Sequence, residues 1–167
     1  MLSAAIGYFT QEKHILSCLS VTCGTAASEQ HALGGVADRA GTPIHEDSIY
    51  DLASLTKLFT GLMVMRLREE DLLDLTRPVT DYAPQFANLR EITVDQVLGF
   101  EVALITPQRV DTQPDAAAGL RQLFAVEPRP VVGRAYSDMH AMVLKYVIEG
   151  AAGECYMEAL HRRILCP

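Results

Sequence analysis

Between Ser54 and Glu70, large apolar side chains return at the spacing of one helix face: Leu55, Leu58, Phe59, Leu62 and Met65, with Met63 and Leu67 widening the stripe. Only a helix brings residues three and four apart together, so this run fixes one element and demands partners to cover it. The spacing predicts a core helix largely surrounded by protein. A second run, "SDMHAMVLKYVIEGAAG", places Met139, Met142, Val143, Tyr146 and Val147 on one stripe; it starts at a Ser or Asp cap and ends in Gly150 or Gly153. With 167 residues and 49% hydrophobic content, the chain is long enough to bury a core of ordinary size.

Ahead of these helices the pattern changes. "AAIGYFT" and "HILSCLSVTCG" are short and apolar, and the turn-like "QEK" separates them, which predicts an antiparallel hairpin. Gly34, Gly35, Gly41 and Pro43 make the following stretch a loop with a short third strand around "GGVADRA". Between the two long helices, "DLLDLTRPVTDYAPQF" reads as turn and extended chain because of its two prolines. Thr93 caps a short helix in "TVDQVLGF", and "PDAAAGLRQLFAV" is a further helix entered through Pro114. The chain is therefore of the α+β class, with strands and loop over 1–50 and a mainly helical part over 51–167. No repeat or linker divides it into independent domains.

A net charge of -7 with mixed signs leaves no basic stripe for a phosphate backbone, which excludes nucleic acid as a partner. The four cysteines form no CxxC pair and no histidine stands at ligand spacing from them, so free, mostly buried thiols are expected, with no metal and no cofactor. "MLSAAIGYFT" has no basic n-region and only a short apolar run; neither a signal peptide nor a membrane span is expected, and the chain as written would stay in the cytoplasm.

"DLASLTK" sets Ser54 three residues before Lys57 at the mouth of the first long helix. That spacing puts both on one face, with the amine within reach of the hydroxyl. A serine hydroxyl needs a base to become a nucleophile, and a lysine serves when burial or nearby charge lowers its pKa. Leu52, Leu55, Leu58 and Phe59 supply apolar surroundings and the helix N-terminus a partial positive charge, which together favour a neutral lysine. The plain reading of Ser54 is a helix cap.

The phrases "AAIGYFT", "GGVADRAGTPI", "DLASLTK" and "DLLDLTRPVTDYAPQF" resemble, in order, the nucleophile region of the serine β-lactamase and penicillin-binding protein superfamily, in the branch of class C β-lactamases, DD-peptidases and related esterases. "AYSDMHAMVLKYVIEGAAG" is similar to the family's Tyr-x-Asn motif at a helix head, with Tyr136, Ser137 and Asp138 at its three positions. The resemblance implies a β-lactamase/transpeptidase-like fold and a two-step acyl transfer on an amide, β-lactam or ester carbonyl in a small molecule or peptide. Ser54 would attack, Lys57 would take its proton, Tyr136 would pass that proton to the leaving group, and the Ser54 amide would hold the oxyanion. Asp138, where the family commonly has asparagine, would bear on substrate binding.

Three departures accompany this resemblance. The family's third motif, Lys-Thr-Gly or His-x-Gly on a strand edging the site, has no counterpart; the other lysines, Lys13 and Lys145, precede His14 and Tyr146. The chain stops at "HRRILCP", before the remaining sheet strands, so it reads as the amino-terminal portion of one domain, weak or inactive alone because half the oxyanion hole is missing. The phrase "LLsHtSGl" is replaced by "VLGFEVALITPQRV", without its histidine or serine. An alternative reading is a non-catalytic binding domain with Ser54 as a cap. Either way, an unpaired sheet edge predicts association with a second copy or a partner chain.

Overall fold

The computed structural model describes residues 2–166, which fall into two units, one up to Asp51 and one from Leu52 onward. The first unit opens with helix α1 (Leu2–Gly7), continued by a π turn over Tyr8–Glu12. The expected strand in "AAIGYFT" is therefore helical. Its apolar run is too short for period to separate strand from helix, and the adjacent Ala4 and Ala5 favour helix. "QEK" is no hairpin turn either: the Lys13 amide donates to the Tyr8 carbonyl at 2.9 Å and extends the helical winding.

The hairpin lies one element later. Strand β1 (Cys18–Thr25) overlaps the expected "HILSCLSVTCG" and runs one residue past it, and it pairs antiparallel with β2 (Ser28–Gly35) across a two-residue turn, from Cys18↔Gly35 to Thr25↔Ser28. "GGVADRA" supplies the end of β2 rather than a third strand, and beyond it Asp38 closes a turn by accepting from the Ala40 amide at 2.9 Å and the Thr42 hydroxyl at 2.7 Å. Among the described residues no disulfide forms, and Cys23, Cys155 and Cys166 are exposed with Cys18 half-buried. The thiols thus sit at the surface, because a two-stranded hairpin and chain ends have no deep interior.

The second unit is built on α2 (Thr56–Glu69) and α6 (Asp138–Ala152). Met63, Val64 and Leu67 of α2 meet a core that includes Val143, Leu144, Val147 and Ile148 of α6. Burying each such side chain contributes about 1.5–3 kcal/mol of transfer free energy. The rings of Phe86, Phe124 and Tyr146 pack edge to face, with centroids 5.3 to 5.7 Å apart. Short helices α3 (Val79–Tyr82), α4 (Val94–Leu98), α5 (Ala116–Phe124) and α7 (Tyr156–Leu160) surround this pair. Thr93 caps α4 as expected, and α5 is capped by Asp115, one residue after the Pro114 entry that the sequence predicts. Gly150 lets α6 approach α3 closely, since a Cβ there would lie 1.8 Å from the Tyr82 carbonyl oxygen, and Gly153 ends α6 in the left-handed region at φ 69°.

Two features differ from expectation. A second antiparallel pair, β3 (Val102–Ile105) with β4 (Glu127–Pro130), stands where only helices and loops are predicted; Pro128 and Pro130 hide β4 from propensity and confine it to an edge. Helix α2 is also not surrounded. Its core face is the Thr60, Met63, Val64 and Leu67 stripe, while Leu58 is 64% and Leu62 53% exposed. Among the described residues, no helix is long and apolar enough to cross a membrane.

Candidate active site

Ser54 sits in a single 3₁₀ turn (Ala53–Leu55) that opens α2, and Ala53 before it has φ 45°. That left-handed backbone costs a residue with a Cβ of order 1–3 kcal/mol, so the surrounding structure must hold it. The turn leaves Ser54 exposed at the head of a helix whose following turns are core. No side chain caps α2. The Ser54 hydroxyl is engaged elsewhere: Lys57 Nζ donates to its Oγ at 3.2 Å.

The head of α6 supplies the other groups. Asp138 forms a short hydrogen-bonded ion pair with Lys57, and the Lys57 ammonium lies 5.0 Å from the centroid of the Tyr136 ring. The structure thus brings Ser54, Lys57, Tyr136 and Asp138 together from two helix mouths. It does not supply the neutral lysine expected from apolar surroundings. Leu52, Leu55 and Leu58 are exposed, and the Asp138 carboxylate holds the Lys57 ammonium above its ordinary range against the lowering effect of burial, with help from Tyr136. The Tyr136 phenol is pushed the other way, below 10.0, first by the Ser54 hydroxyl and then by Lys57, against partial desolvation.

Two residues of this neighbourhood escape the sequence reading. His140, one turn into α6, is buried and bonded to Ser137 Oγ and to the Val102 carbonyl, each at 2.9 Å. Phe100, in the divergent loop between α4 and β3, stacks on both Tyr136 and His140. The signal for His140 was available: it precedes Val143, Leu144 and Val147 on the buried stripe, where a lone polar residue needs partners. Beside the polar cluster runs an open cleft of about 560 Å³, lined chiefly by apolar groups including Leu58, Leu62, Met65, Leu98 and Phe100.

Ser54, Lys57 and Tyr136 thus form one polar cluster at the head of α2, beside the cleft. The chain belongs to the beta-lactamase family, whose model matches residues 11–167. It is similar to the esterase EstB of Burkholderia gladioli, at 33% identity over 86 residues, which is 51% of this chain and 22% of that enzyme. It is similar too to the teichoic acid D-alanine hydrolase of Staphylococcus aureus, at 25% identity over 71% of this chain and 30% of the hydrolase. The fold is similar to part of the β-lactamase/D-alanine carboxypeptidase of Pseudomonas syringae: TM-score 0.76 at 23% identity, covering 98% of this chain and 48% of that structure. The chain thus matches under a third of the length of these two curated relatives and about half of the solved structure.

Proposed function

We propose that this chain carries the nucleophile portion of a serine hydrolase working through an acyl-enzyme on an amide, β-lactam or ester carbonyl. The observation that carries the proposal is the placement of Lys57 Nζ 3.2 Å from a Ser54 hydroxyl that caps nothing. In the proposed step Ser54 Oγ bonds to the carbonyl carbon, its proton passes to the Tyr136 phenolate, and the carbonyl electron pair becomes an oxyanion facing the Ser54 amide. Collapse of that oxyanion expels the amine or alkoxide, which takes the proton from Tyr136; water then hydrolyses the ester by the reverse proton path.

Lys57, kept charged by Asp138, is assigned the electrostatic role of favouring phenolate and oxyanion, and Tyr136 the role of base. The Ser54 amide is the oxyanion donor assigned to this chain, and losing a donor of that kind costs roughly 10²–10³-fold in rate. A strongly electrophilic fluorophosphonate needs less help, so it is the probe of choice. Mass spectrometry should find the adduct on the Ser54 peptide; wild-type protein that stays unmodified, or carries the adduct elsewhere, overturns the hydrolase reading. The exposed Leu58 and Leu62 face of α2 favours a second reading, a non-catalytic docking domain, which an unreactive Ser54 would leave standing.

A further inference from the structure

Phe100 and His140, which the proposed chemistry does not use, form a wedge against Tyr136. Phe100 has φ 59°, a conformation that a bulky residue keeps only when its surroundings impose it. Its amide donates to the Val97 carbonyl at 3.2 Å, and its carbonyl accepts from the Ala135 amide, next to Tyr136, at 2.8 Å. Its ring centroid is 5.1 Å from that of Tyr136 and 4.7 Å from that of His140. His140 is 1% exposed. A carbonyl only accepts, so Nε2 donates to Val102 and Nδ1 of the neutral ring accepts from the Ser137 hydroxyl.

We infer that His140 is a positioning residue for Tyr136: it ties the start of β3 to the head of α6 and clamps Phe100 against the tyrosine ring, so that the phenol stands beside Ser54 and Lys57. The divergent loop, which has no histidine of its own, is thereby held by an imidazole from the helix it faces. Burial keeps that imidazole below its ordinary pKa, so both bonds persist at neutral pH. The effect on rate rests on the hydrolase reading; the placement of Tyr136 does not, and it can be measured without turnover.

The test compares His140→Phe, which keeps ring volume but neither hydrogen bond, with His140→Gln, which restores a donor towards Val102. Protein carrying ¹³Cζ-tyrosine is titrated by NMR, with the Tyr136 signal assigned by its loss in Tyr136→Phe. In wild type Tyr136 should titrate below 10.0; His140→Phe should move it up towards that value, and His140→Gln should keep it low. With fluorophosphonate, His140→Phe should lower the maximal labelling rate about tenfold at unchanged half-saturation, and His140→Gln should recover most of it. Ser137→Ala, which removes one bond of a half-buried residue without opening the core, gives a smaller upward shift should His140→Phe fail to fold. A wild-type Tyr136 titration in folded His140→Phe or in Ser137→Ala overturns the inference. Absent labelling of wild type sinks the hydrolase reading, while the tyrosine titration still decides this one.

Discussion

The heads of α4 and of the pair α2 and α6 are built differently. At α4 the Thr93 hydroxyl accepts from the Gln96 amide and the Gln96 side chain accepts from the Thr93 amide, a reciprocal box that satisfies orphan donors. At α2 and α6 the serines do neither. Ser54 Oγ accepts from Lys57, Ser137 Oγ bonds His140, and α2 is entered through the strained Ala53. Side-chain caps close donors at α4 and α5, while α3 and α7 start without one. The two starts that meet at the candidate site forgo that local stability and turn their hydroxyls towards side chains, the kind of broken local rule expected at a functional site.

If this contrast marks function, changes at the paired mouths should move reactivity more than stability. Tyr136→Phe should slow labelling of Ser54 by roughly 100-fold, the usual scale for losing a general base. It should also remove a rise of rate with pH, which in wild type climbs towards the depressed Tyr136 value below 10.0 as phenolate accumulates. A smaller effect of the same sign is expected for Asp138→Asn. Without the carboxylate, Lys57 loses the main partner that keeps it charged, and the phenolate and oxyanion lose part of the support assigned to that charge, so labelling should slow by about tenfold. Unchanged or faster labelling in that variant would remove the electrostatic role from Lys57.

Stability should respond to acid in a modest and signed way. Burial depresses the folded-state His140 below its ordinary 6.5, so the unfolded chain binds that proton first. The contribution is complete above about pH 6.5 and is lost as pH falls through that value towards the folded one. Urea midpoints between pH 7.5 and 5.5 should fall in wild type more steeply than in His140→Gln; parallel slopes would remove His140 as the titrating group.

Much of this contrast was legible in the chain. Period and caps located α2, α4, α5 and α6, and the spacing of Ser54 and Lys57 on one helical face anticipated their contact. Three things were not. The stripe of α2 is apolar nearly all round, and sequence does not say that Leu58 and Leu62 face outward while Met63 and Val64 face the core. The charge state of Lys57 depends on Asp138, a partner 81 residues away that only the packing of α2 on α6 brings near. Strands β3 and β4 pair four residues each across a long separation, with prolines in one of them, so neither alternation nor propensity reveals them. Helix α1 likewise departs from the expected strand, since a few apolar residues fit either period.

If Ser54 is a nucleophile and not a cap, crossing Ser54→Ala with Thr93→Ala separates the two roles, with melting and fluorophosphonate labelling read on each variant. Thr93→Ala should lose about 1 kcal/mol of stability and keep its labelling. Ser54→Ala should melt within about 0.5 kcal/mol of wild type and lose labelling by roughly 10³-fold or more. The reverse result, a Ser54→Ala variant that is destabilised like a lost cap while an adduct still forms, would contradict the account.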